Sequence, residues 1–208
     1  WLKERGITVI HVVSSSRFAV KCEEAGVDAV VAEGFEAGGH NGREETTTFC
    51  LIPAVREATT LPLIAAGGIG TGEGILAAMM LGAEGVQIGT RFALTEESSA
   101  SPVFKDYCLS LGEGDTKLLL KKLAPTRLVK NVFREAVEKA EDSGATPEEL
   151  RILLGRGRAK KGIFEGDLEE GELEIGQVSA IVSRRQSVSE VMTELVEAWQ
   201  RAAEKKYF

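Results

Sequence analysis

Positive charge is in short supply in this chain, which sets 25 Lys and Arg against 32 Asp and Glu over 208 residues, a net charge of -7. General nucleic-acid and anionic-membrane binders need clustered positive charge, so the balance argues against both. Cysteine is also scarce. Cys22, Cys50 and Cys108 are too far apart for metal-ligand spacing or a disulfide framework. They read as small buried hydrophobes in a reducing cytoplasm. No run of about 18 apolar residues is present for a membrane span, no basic-then-apolar leader opens the chain, and no stretch forms a dinucleotide fingerprint. What remains is a globular protein whose 43% hydrophobic content is ample for one large core or two small ones.

The stretch Leu61 to Phe92, LPLIAAGGIGTGEGILAAMMLGAEGVQIGTRF, organises the rest. Leu63 to Ala66 is an unbroken apolar run, as in a parallel strand buried on both faces, and Gly67-Gly68 end it. Ile75 to Leu81 carries a helical apolar pattern stopped by Gly82. Val86, Gln87 and Ile88 make a second strand closed by Gly89 and Thr90. Two successive strands ending in glycine set bare backbone N–H groups side by side at one sheet rim, which suits a phosphate. In an eight-stranded α/β barrel, phosphate commonly sits between the loops after strands seven and eight. These two strands take those numbers. Read one at a time, the same glycines are ordinary tight turns.

Upstream, Trp1 to Gly6 reads as the tail of a helix. Thr8 to Val13 is a β-branched strand, Ser14 to Ser16 cap a helix over Arg17 to Ala25, and Gly26 closes it. Asp28 to Glu33 is a further strand, running into the glycine-rich loop Gly34 to Gly42. Thr46 to Thr48 cap a helix that reaches about Ala58. The repeat of strand and helix, roughly 25 to 30 residues long, occurs with four strands and requires a parallel sheet. Four βα units are half of a barrel and alone would leave two open apolar edges. The expectation is an α/β protein, a TIM-type (β/α)8 barrel of which this chain supplies the last four βα units, with the first four strands belonging to a longer chain.

After Phe92 the pattern changes. Glu96 to Leu111 reads as helix, Asp115 to Leu120 as a short extended piece and Thr126 to Asp142 as helix. Thr146-Pro147-Glu148-Glu149 is a helix start. This predicts a small, mostly helical second domain. The expected division is 1–95 for the half-barrel, 96–165 for the helical domain, and 166–208 for a return segment ending in a barrel helix over Ser187 to Lys205. The basic run Arg151, Arg156, Arg158, Lys160 and Lys161 reads as a solvated face, with an acidic partner as the alternative. His40 follows small loop residues on the rim where barrel chemistry occurs, and its imidazole titrates near neutrality. His11, inside a strand, reads as a packed or hydrogen-bonded core residue.

At AEGFEAGGHNG (Ala32 to Gly42), AAGGIG (Ala65 to Gly70) and QIGTRF (Gln87 to Phe92), and again at EGDLEEGELEIGQ (Glu165 to Gln177), the chain resembles the nitronate monooxygenase family, formerly the 2-nitropropane dioxygenases. The same superfamily includes the flavin-dependent enoyl-acyl-carrier-protein reductase. The resemblance implies an FMN whose phosphate is held by the backbone of Gly67, Gly68, Gly89 and Thr90. Gln87 and Ile88 belong to the same strand end, and Glu33 and Gly38 border the flavin. It implies His40 as the catalytic residue, either taking the acidic carbon proton of a nitroalkane or binding a nitronate, with O2 as oxidant. In the reductase, NADH is the co-substrate and an acyl carrier protein the partner. A homodimer is the expected assembly. Many monooxygenases of the family carry Gln at the position of Glu33, whereas the reductase branch tends to carry Glu; His40-Asn41-Gly42-Arg43 followed by EETTT resembles sequences grouped with the monooxygenases. The monooxygenase is the first expectation and the reductase the second. Outside that pair stand a barrel that binds a phosphorylated ligand without flavin and an incomplete fragment that only binds FMN.

Overall fold

A computed structural model describes residues 1–205. Its strands are β1 (Ile10–Val13), β2 (Ala29–Glu33), β3 (Gly39–His40), β4 (Leu63–Ala66), β5 (Gly85–Gln87), β6 (Thr116–Leu119) and β7 (Thr126–Val129). Its helices are α1 (Ser16–Glu24), α2 (Thr48–Ala58), α3 (Gly72–Met80), α4 (Thr90–Ala93), α5 (Pro102–Leu109), α6 (Val132–Asp142), α7 (Pro147–Leu154) and α8 (Val188–Glu204). The chain forms two compact units, the first from residues 1–36, 44–88 and 192 onward, the second from 37–43 and 89–191.

The first unit holds a four-stranded sheet in the order β1-β2-β4-β5, with every pair parallel. Continuous apolar runs in β2 and β4 bury Val30, Val31, Leu63 and Ala65, as strands covered on both faces require. Helices α1 and α2 pack together beside the sheet, closing a core with Ile52 and Val55. Helix α3 begins three residues before the expected Ile75. Thr71 supplies the cap by accepting from the Gly74 amide at 3.0 Å, and such a cap overrides the poor propensity of Gly72 and Gly74. Gly72 has its own reason to be small, because a Cβ there would meet the backbone of Ala198 and Trp199 in α8.

Strand β1 lies at one edge of the sheet. It pairs with β2 alone among the described residues, and Ile10 and Val12 are 53% and 45% exposed. His11 therefore lies exposed rather than in a core, its Nδ1 2.7 Å from the Val12 carbonyl. The thiols divide as well: Cys22 and Cys108 are buried as expected, whereas Cys50 is exposed on α2.

The second unit is less helical than its sequence suggests. It is built on an antiparallel sheet in the order β3-β7-β6. Residues 126–129, expected as the first turn of a long helix, form β7, and that helix starts only at Val132, where the Asn131 side chain accepts from the Arg134 amide at 2.8 Å. All four β7 residues are buried between two partner strands, so ladder pairing and burial outweigh helix propensity. The expected helix over Glu96 to Leu111 is shortened to α5, with Pro102 in its first turn. Buried Lys105 ties down the irregular segment before it, donating to the carbonyls of Glu96 and Ser98 at 3.2 and 2.7 Å. Of the expected final segment, residues 206–208 lie outside those described, and α8 fills most of the predicted helix.

Candidate functional site

In the first unit the parallel register sets the strand ends level. Glu33 is opposite Ala66, and Ala66 is opposite Gln87, so one row across β2, β4 and β5 carries Glu33, Ala66 and Gln87. Gly67 and Gly68 follow at once after Ala66, and Ile88 follows Gln87 and packs on the core. Gly67 adopts φ 83°, where a Cβ would come 2.5 Å from the Gly34 carbonyl oxygen, and Gly68 adopts φ 68°. Only glycine takes this turn without strain. Among the described residues the Gly67 and Gly68 amides donate to no protein acceptor, which fits a turn that holds an anion. Gln87 is exposed. Glu33 is half-buried with no hydrogen-bond partner among the described residues, and burial pushes its carboxyl above the ordinary range.

Glu36 was not among the residues singled out by sequence. Its carboxylate accepts the Thr48 amide, 3.1 Å from each oxygen, at the start of α2. The Thr48 hydroxyl donates to the Gly67 carbonyl at 2.8 Å, which ties the helix start to the Gly67-Gly68 turn. The expected threonine cap is thus replaced, since Thr47 makes no side-chain cap bond. Local capping rules look within about three residues and miss an acceptor twelve positions upstream.

In the second unit the residues around His40 are fastened on several sides. The Asn41 side chain donates to the carbonyls of Ala37 and Gly39 at 3.0 and 2.9 Å, and the Asn41 amide donates to Pro125 at 2.7 Å. Buried Arg127 of β7 donates from Nε to Ala37 at 3.2 Å. A Cβ on Gly38 would strike the backbone of Ile175 and Gly176, so Gly38 is the close-packing point between the loop and that segment. Within this frame the His40 side chain is exposed. Gly89 is exposed with open space where a Cβ would stand, and its amide has no protein acceptor among the described residues. The Thr90 hydroxyl accepts from the Gly176 amide at 3.2 Å. Thr90 and Gly38 therefore converge on one segment, Ile175-Gly176. A cleft of about 250 Å³ bounded by Gly112–Gly114 and Gln177–Ala180 contains none of the residues predicted from sequence.

Four of the five residues of the basic run pair with acidic side chains of their own unit, Arg156 being the exception among the described residues. Arg151 pairs with Glu148 at 3.1 Å, Arg158 with Glu170 at 3.2 Å, Lys160 with Glu165 at 3.3 Å and Lys161 with Asp167 at 2.9 Å. Arg158 also stacks 4.5 Å over the Phe133 ring. This favours the solvated-face reading. No group of three or more His, Cys, Asp and Glu suited to a metal occurs among the described residues, and no helix there is long and apolar enough to cross a membrane.

Parallel strands with glycine-closed ends and helices packed beside them define the class as an α/β chain with a parallel sheet. A family model described as nitronate monooxygenase matches residues 1–198, and the chain belongs to that family. It is 35% identical over 207 residues to a probable nitronate monooxygenase of Staphylococcus haemolyticus, covering 94% of this chain and 57% of the relative. A probable nitronate monooxygenase of Staphylococcus aureus is 40% identical over 151 residues, covering 67% of this chain and 42% of the relative. Among solved structures, FabK from Thermotoga maritima matches with a TM-score of 0.91 at 38% identity, over 98% of this chain and 64% of that one. Nitroalkane oxidase from Streptomyces ansochromogenes matches with 0.77 at 30% identity, over 97% and 60%. The chain thus spans about half the length of the curated relatives it matches.

Proposed function

We propose that this chain forms the C-terminal part of an FMN-dependent oxidoreductase that oxidises nitronates or nitroalkanes with O2. The observation that carries the reading is the exposed His40 side chain on a backbone held by Asn41 and Arg127, within a chain of the nitronate monooxygenase family. In this reading His40 takes the acidic carbon proton of a small nitroalkane, or stays protonated to hold a nitronate, and the braced loop keeps the ring in place between turnovers. The amides of Gly67, Gly68 and Gly89 and the residue Thr90 hold the phosphate of FMN, with Glu33, Gly38, Gln87 and Ile88 beside the ring system. When bound, FMN supplies the transfer of electrons from substrate to oxygen. Among the described residues the Gly67 and Gly68 amides donate to no protein acceptor, which supports a turn open to a phosphate. The cellular setting proposed is the cytoplasm, supported by three unpaired thiols.

Four parallel strands with exposed apolar side chains on β1 support the proposal that this chain supplies the last four βα units of a barrel. Covering the exposed half of Ile10 and Val12 would contribute about half of the roughly 1.5–3 kcal/mol that complete burial of such a side chain gives. In that layout residues 1–95 belong to the barrel, 96–165 to the appended domain, and 166–208 return to the barrel.

A second reading, an NADH-dependent enoyl-thioester reductase, is supported by one residue, Glu33, a half-buried carboxyl that burial holds above its ordinary range. Anaerobic mixing of the full-length flavoprotein with a nitronate, and separately with NADH, distinguishes the two. Loss of flavin absorbance near ~450 nm with nitronate but not with NADH supports the monooxygenase; rapid bleaching by NADH overturns it. His40→Ala should keep bound flavin and lose about 10²-fold or more in turnover, and retained turnover removes His40 from the chemistry.

A further inference from the structure

Glu174 was not singled out by sequence and takes no part in the reading above. One edge of β7 is shared by two pieces of chain. Gly39 and His40 pair with Arg127 and Thr126, and one step along the strand Glu174 forms an antiparallel bridge to Leu128. Strand β6 occupies the other edge over the whole length of β7, so Glu174 continues the line begun by Gly39 and His40. The neighbouring Val129 amide donates to Leu173 at 2.9 Å and fixes this register. The side chain then turns to the histidine loop. A Cβ on Gly39, whose φ is 72°, would lie 2.5 Å from Glu174 Oε2, so the absence of a side chain at Gly39 makes room for that carboxylate immediately before His40.

Among the described residues the Glu174 side chain accepts no hydrogen bond and joins no ion pair within bonding distance. Burial pushes its carboxyl above the ordinary range, and the charge of His40 acts in the opposite direction. Glu172, buried on the same segment, is pushed up to about 7, first by burial and then by the charge of Glu174, with Arg158 opposing. The charged groups around Glu174 are therefore His40 on β3, Glu172 on its own segment with Arg158 behind it, and Arg127 on β7. The Arg127 guanidinium is engaged by Ala37 and Thr116.

We propose that Glu174 is a positioning residue for His40: its carboxylate, seated against Gly39 on the β7 edge, is the charged partner that holds the His40 imidazole. This deepens the reading in which His40 handles the substrate proton.

The chain has two histidines, and His11 lies in the other unit, exposed, so histidine-selective isotope labelling gives two ring signals with an internal control. His11→Gln in a parallel sample assigns them. In Glu174→Gln the pH profile of the His40 signals should move to lower pH, with the His11 profile unchanged. An unmoved His40 profile in a folded variant overturns the proposal, as does an equal movement of both. Where Glu174→Gln does not fold by its amide spectrum, Glu174→Asp withdraws the charge by one methylene and should move the His40 profile in the same direction by less; no movement there also overturns it. The measurement uses no substrate and no flavin, so it fails or succeeds independently of the assigned reaction.

Discussion

The carboxylate of Glu36 receives the backbone amide of Thr48 at 3.1 Å, and through the Thr48 hydroxyl it is linked to the carbonyl of Gly67. One side chain thereby fixes both the start of α2 and the turn offered to a phosphate. Glu36→Ala should cost about 1 kcal/mol, the usual worth of an N-terminal cap, and lower the thermal midpoint by about 2–4 °C for a chain of this size. Glu36→Gln keeps an acceptor and should lose less. Thermal denaturation followed by circular dichroism measures both, and an unchanged midpoint in the alanine variant would remove the capping role.

Gly67 and Gly89 separate conformation from space. Gly67→Ala meets φ 83° and a carbonyl oxygen 2.5 Å away, so the conformation alone costs about 1–2 kcal/mol and the contact adds to it. Gly89→Ala meets φ -94° and open space, and its folding free energy should stay within about 0.5 kcal/mol of wild type. Urea titration of the two variants tests the contrast. Equal midpoints would show that the Gly67 turn relaxes.

Thiol labelling under native conditions should stop at one equivalent. Cys50 is exposed, whereas Cys22 and Cys108 are buried and the Cys108 thiol is pushed up to about 12 by burial. The thiolate is the reactive form, so Cys108 stays inert at pH 8. Two further equivalents should appear on adding denaturant, and rapid native labelling of all three would contradict the burial.

Glu172 makes stability depend on pH. Its carboxyl rises from 4.5 to about 7 in the folded state, so the native state binds more protons than the unfolded chain in this interval. The stabilising contribution is fully present below 4.5 and is lost as pH rises through 7. Glu172→Gln has no such loss. Between these two pH values the thermal midpoint of wild type should fall relative to the variant, and parallel curves would contradict the assignment.

Arg158 and Arg156 stand two residues apart with different work. Arg158 covers Phe133 at 4.5 Å and donates to the carbonyls of Leu154 and Glu170 at 2.8 and 2.7 Å. Arg158→Ala should lower the folding free energy through lost packing as well as lost charge, by about 1–2 kcal/mol. Arg156, exposed and without a partner among the described residues, should tolerate alanine with no change. Reversal of that order would mean the run serves as a surface site after all.

The sequence by itself determined the four parallel strands and the glycines that follow β2 and β4, because an unbroken apolar run such as Leu63 to Ala66 is stable only when covered on both faces, and because Gly67 and Gly68 mark positive φ angles that other residues resist. It also marked His40, through the small residues around it. Tertiary structure decided the rest. Residues 126–129 became strand because β6 and β3 supply hydrogen bonds on both edges, a fact no local propensity contains. His11 came to the surface because β1 has one partner among the described residues. Glu36 caps a helix from twelve positions away, and Glu174 reaches Gly39 across more than a hundred residues of chain. Periodicity and turn chemistry act over a few residues and are written locally, whereas the placement of a single charge depends on which distant segments share a strand edge.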